Sequence, residues 1–153
     1  MKKYLISIIS CVLVGLLMGK IIFEQYKSND TLTVSTTSIS EEVYFFQTGV
    51  YSSLDNMKKA MSNINSYAYI LEDNKYYVFL AITKNEENKE KLKNYFNSLS
   101  YNIYIKKITI DNEAFLNTLN EYDKLLKDAS SNSDIKKIND AVLEKYEELV
   151  NNG

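Results

Sequence analysis

Asp73 and Asn74 separate two runs dense in aromatic and β-branched residues, SYAYILE (Ser66 to Glu72) and KYYVFLAIT (Lys75 to Thr83). Such residues suit a pleated, half-buried surface, and Asp and Asn both tolerate the positive φ that a two-residue turn requires. The dipeptide therefore predicts an antiparallel hairpin. A lone hairpin is marginal in water, so the rest of the chain has to supply further strands and a layer that covers them.

Both are legible nearby. Val43 to Val50 is again rich in β-branched and aromatic residues and ends at Gly49 and the pair Ser52, Ser53, which predicts a strand, a turn and a helix cap. Leu54, Met57, Met61 and Ile64 then recur every three or four residues, with Ala60 beside them, predicting a helix over 54–65. A second helix is predicted over Asn85 to Leu99, with Leu92, Tyr95, Phe96 and Leu99 as its apolar stripe, and a fourth strand over Tyr101 to Ile110. The order is βαββαβ, an α+β fold: a split sandwich with one four-stranded antiparallel sheet and two helices on one face. Two more amphipathic segments, DNEAFLNTLNEYDKLLKDA and DIKKINDAVLEKYEELV, flank the loop SSNS at 130–133 and predict a C-terminal helical hairpin over 111–153.

The start of the chain has a different character. Tyr4 to Phe23 is apolar but for Lys20, long enough at 1.5 Å per residue to span roughly 30 Å of hydrocarbon. Lys2 and Lys3 precede it, so residues 1–23 are expected to be a cytoplasmic tip and uncleaved transmembrane anchor, with the remainder of the chain outside the cytoplasm. A cleaved signal peptide is the competing reading, although no A-x-A-like site comes after the apolar run. Residues 24–41, rich in Ser and Thr, read as an exposed tether. Beyond residue 23 the chain has 15 lysines against 20 acids, a net charge of about −5 and the wrong sign for a nucleic-acid partner. There is no His, Pro, Trp or Arg and a single cysteine, Cys11. The commonest general base and the usual zinc-ligand clusters are therefore missing, and a non-catalytic protein without metal or cofactor is expected.

The run YFFQTGVY, Tyr44 to Tyr51, resembles the aromatic-x-Val-Gln-x-Gly-x-aromatic opening of the SPOR (sporulation-related) domain family, and the element order and length of residues 42–110 resemble it too. The resemblance implies a fold similar to RNA-recognition domains and binding of bacterial peptidoglycan, particularly glycan strands stripped of stem peptides. Many members sit on single-pass membrane proteins of the division or sporulation apparatus, which is the layout expected of this chain. Tyr77 and Ala81 stand where the family often has an arginine and a glycine, and Val50 where a small polar residue is common.

Alternation along strands divides their residues between two faces. Phe46, Thr48, Ala68, Ile70, Val78, Leu80, Ile103 and Ile105 are assigned to the helices following the first and third strands. Phe45, Gln47, Tyr67, Tyr69, Tyr77, Phe79, Tyr104 and Lys106 are assigned to the other side. Aromatic rings offer flat apolar surface to sugar C–H faces, and an amide both donates and accepts. Phe45, Gln47, Tyr69, Tyr77, Phe79 and Tyr104 are accordingly the candidate glycan-binding residues. The alternative is that the apolar stripes of the C-terminal hairpin (Phe115, Leu119, Tyr122 and Leu126; Ile135, Ile138, Val142, Tyr146 and Leu149) cover that face. The chain would then be a protein-interaction module of a membrane-anchored division or sporulation complex.

Overall fold

A computed structural model describes residues 39–151. The expected anchor and nearly all of the tether lie outside the described residues. Among the described residues, no helix is long and apolar enough to cross a membrane.

The elements run β1 (Glu41–Tyr51), α1 (Leu54–Ala60), β2 (Ala68–Glu72), β3 (Lys75–Thr83), α2 (Glu86–Ser98), β4 (Tyr104–Ile110), α3 (Glu113–Asp128) and α4 (Asn132–Tyr146), closing in a π-helical turn over Glu147–Asn151. The sheet is four-stranded and antiparallel, in the order β2-β3-β1-β4. Asp73 and Asn74 have φ of 50° and 58°, so the β2–β3 connection is the left-handed two-residue turn that their side chains tolerate. Each helix starts at a side-chain cap: Ser53, Asn85, Asn112 and Ser131 each accept from the backbone N–H three residues on. The first helix stops at Ala60, short of the expected residue 65. Ser62, Asn63 and Asn65 come next, types whose side chains compete for the backbone.

The β1–β3 ladder is interrupted twice. Phe45 pairs with Ile82 and Gln47 with Phe79, which leaves Leu80 and Ala81 opposite Phe46 alone; Gln47 pairs with Phe79 and Gly49 with Val78, which leaves Thr48 unmatched. Thr48 therefore belongs to a bulge, where simple alternation put it on the helix face. The Leu80 carbonyl at the other bulge accepts from Asn139 Nδ2 of α4 at 2.6 Å. A backbone group freed from the ladder is thus satisfied by the hairpin.

Core packing fills both sides of the sheet. On one side, Phe46, Leu80, Leu92 and Phe96 form a buried cluster under α2, and Met57, Met61 and Val78 another under α1. On the other side, Val43, Phe45, Phe79 and Ile82 pack against Phe115, Leu116 and Leu119 of α3 and Val142, Leu143 and Tyr146 of α4. At roughly 1.5–3 kcal/mol for each large apolar side chain removed from water, this second layer is a major part of the core. The hairpin also reaches the first cluster through Leu126 and Ile135.

A buried polar node fixes the hairpin in place. Asp123 of α3 accepts from the Thr83 hydroxyl, from the Lys84 N–H at 3.0 Å and from Asn88 Nδ2 at 3.0 Å. Asn88 Nδ2 also donates to the Asp123 carbonyl at 2.7 Å. Lys91 Nζ donates to the carbonyls of Leu126, Lys127 and Ala129 at 2.7–2.8 Å, placing a cation at the C-terminal end of α3, where it also meets the helix dipole.

Candidate functional site

The pairing registers settle which residues share a face. Gln47 sits between Phe79 and Tyr104, and Phe45 between Ile82 and Lys106, so Phe45, Gln47, Phe79, Tyr104 and Lys106 point the same way. Tyr77, two residues from Phe79, joins them. In β2 the expected phase is reversed. Ala68 pairs with Phe79 and Ile70 with Tyr77, whereas Tyr69 pairs with Val78. Ala68 and Ile70 therefore lie on the candidate face, and Tyr67 and Tyr69 lie on the α1 side near Met57, Met61 and Val78. The Tyr69 ring packs against Tyr76 at 5.9 Å, so Tyr69 cannot act together with Tyr77 on one surface.

Two further candidates share the face but are covered. Phe45 and Phe79 are both 0% exposed. Their rings meet edge to face at 5.0 Å, Phe45 meets Tyr146 at 5.4 Å, and Tyr146 meets Phe115 at 5.3 Å. Edge-to-face contacts of this kind add to the burial of the rings. Burial also pushes the Tyr146 hydroxyl up to about 12. Phe45 and Phe79 are therefore core residues, because Phe115, Leu119, Val142 and Tyr146 of the hairpin stripes are buried in one cluster with them.

What remains uncovered is the other end of the same face. Gln47 and Tyr77 are half-buried, Tyr104 is 67% exposed, and Ile70, Ile108 and Val50 border them. A shallow depression of about 390 Å³ on this face is lined by Ile70, Glu72, Tyr77, Phe79, Lys106 and Ile108, among others, with Gln47 and Tyr104 outside its lining. Lys106, which alternation assigns to this face, supplies a cation to it, although nothing local in the sequence signals its partner Glu72. From β4, at one edge of the sheet, its side chain reaches over the sheet, with Nζ 4.9 Å from the centroid of the Tyr77 ring and 3.6 Å from a Glu72 carboxylate oxygen. Glu72 belongs to β2, the opposite edge, about three strand spacings or roughly 14 Å away by backbone. The two side chains thus strap the depression from edge to edge. Both are substantially solvent-exposed, so the ion pair contributes about 1 kcal/mol or less and the ammonium–ring contact a similar amount.

A second charged constellation lies on the opposite face. The Tyr44 hydroxyl donates to Glu86 at 2.6 Å, while Lys89 and Lys107 place their ammoniums 5.0 and 5.5 Å from the Tyr44 ring. The hydrogen bond to Glu86 raises the Tyr44 pKa, and hydrogen bonds from Lys89 and then Tyr44 hold the Glu86 carboxyl low. Lys89 pairs with Glu86 and Lys107 with Glu42, so every charge here has a partner. This cluster clamps β1, β4 and the start of α2 together.

No protein-family model matches the chain, and no curated protein and no solved structure matches it either.

Proposed function

We propose that the chain is a non-catalytic saccharide-binding protein that holds peptidoglycan glycan strands at the uncovered end of its sheet. The fold class and the YFFQTGVY run support the SPOR-like reading, and with it an extracytoplasmic placement and a role in localising division or sporulation proteins. One observation carries the glycan assignment: Gln47, Tyr77 and Tyr104 lie on one sheet face and each keeps solvent exposure, combining flat apolar surface with an amide that donates and accepts. The proposed site is smaller than the set of six candidates, because Phe45 and Phe79 are buried and Tyr69 lies on the other face. Tyr77, half-buried where Phe45 and Phe79 are fully buried, is its central ring.

The test is retention of the full chain on purified sacculi, before and after amidase removal of stem peptides. Tyr77→Ala and Tyr104→Ala should each lower retention on stripped sacculi at least tenfold while leaving the far-UV circular dichroism unchanged. Equal retention of wild type and both variants, or none at all, would refute the assignment.

Covering of Phe45 and Phe79 by the hairpin favours the second reading, a protein-interaction module. Exposed apolar side chains, Val50 at 43% on this face and Leu71 at 58% on the β2 edge strand, would then contact the partner. This reading expects Leu71→Glu to abolish complex formation and leave sacculus retention untouched.

A further inference from the structure

The strap across the depression bears on what the surface accepts. A ring stacking on Tyr77 has to occupy the position held by the Lys106 ammonium, 4.9 Å from the ring centroid. Displacing it also breaks the contact with Glu72, the ion-pair partner of Lys106 among the described residues. An uncharged sugar would return nothing for that loss except weaker hydrogen bonds, whereas an anionic one would restore a charge-assisted pair. Glu72 is not stranded by the exchange. Lys75 is its cross-strand neighbour across the Asp73–Asn74 turn, and both are exposed to water.

We propose that Lys106 is a specificity-determining residue selecting an anionic pyranose: the ligand's carboxylate or phosphate ester replaces Glu72 on the Lys106 ammonium while its ring takes the ammonium's place over Tyr77. The inference rests on the saccharide reading of this surface and adds a charge requirement to it. Lys106 is suited to the exchange because it projects from β4, two residues from Tyr104, and its ammonium is held by an exposed carboxylate. Rotation about its four-carbon stem lets the ammonium follow the ligand's anion as the ring enters.

Binding of the full chain to three probes tests it: chitotetraose, chitotetraose oxidised to carboxylates at C6, and chitotetraose phosphorylated at C6, all at low salt. The expected result is at least tenfold tighter binding of one or both acidic probes than of the neutral one, and comparing the two shows whether a carboxylate or a phosphate is preferred. In Lys106→Gln that preference should fall to within about twofold, with neutral-probe binding kept or improved because the ring is uncovered. Glu72→Gln, which removes the competing carboxylate, should strengthen binding of the acidic probe severalfold. Equal affinity for neutral and acidic probes in the wild type, or a preference that survives in Lys106→Gln, overturns the charge requirement and leaves the saccharide reading standing. Absence of binding by all three probes to both wild type and Lys106→Gln overturns the two together.

Discussion

Phe45 and Tyr104 belong to the same sheet face, yet one is 0% and the other 67% exposed, so truncating them should have opposite consequences. Phe45→Ala opens a cavity among Phe79, Phe115 and Tyr146 and should cost about 3–5 kcal/mol in a urea titration. Tyr104→Ala should stay within about 0.5 kcal/mol of wild type. A loss below about 1 kcal/mol for Phe45→Ala would mean that the hairpin does not cover this face in solution. Tyr146 supplies a pH signature of the same packing. Its folded pKa is pushed up to about 12 from an ordinary 10, so between these values the unfolded chain releases a proton that the folded chain retains. Stability should then fall as pH rises from 10 to 12, by roughly 2 kcal/mol from this group, and the fall should shrink in Tyr146→Phe. Chemical denaturation at pH 9 and 11.5 measures it. Alternation in β1 was enough to group Phe45 with Gln47, because its residues obey period two up to the bulge. Whether either meets solvent depends on residues some seventy to a hundred positions away and has no local signal.

The two-residue turn carries more information than the alternation of β2 taken by itself. With Asp73 and Asn74 as the turn, Glu72 faces Lys75, and counting back puts Tyr69 opposite Val78 and Ile70 opposite Tyr77. Tyr69 thus had to share a face with Val78, which was legible from the turn. The elements themselves followed from periodicity and caps, whereas the early end of α1 and the π-helical turn depend on local competition and on packing that periodicity does not express. The hairpin is the element whose removal is most informative. Ending the chain at residue 111 would expose Val43, Phe45, Phe79 and Ile82 together. The truncated chain should bind a hydrophobic dye such as ANS and lose its sharp thermal transition; a cooperative, dye-free melt would show that the sheet is stable without α3 and α4.

Across the whole of residues 39–151, sheet and hairpin share buried clusters and a buried polar node, so they should unfold as one. Helical signal in the far ultraviolet and tyrosine signal in the near ultraviolet should lose their amplitude at the same denaturant concentration. Two separated midpoints would mark the hairpin as an independent unit. Burial of Phe45 and Phe79 beside exposure of Tyr104 would also confine the proposed ligand to the uncovered part of the face. Lys91 has a further consequence. It donates to three carbonyls at the end of α3, while Thr83, Lys84 and Asn88 engage Asp123 one turn earlier, so the hairpin is keyed to α2 and the end of β3 by groups that fit at one axial position only. These last forty residues are therefore not a portable cassette: grafted onto another four-stranded sheet without counterparts of Asn88 and Lys91, they would carry an unpartnered carboxylate into a foreign interior and leave the carbonyls at the end of α3 without their cation.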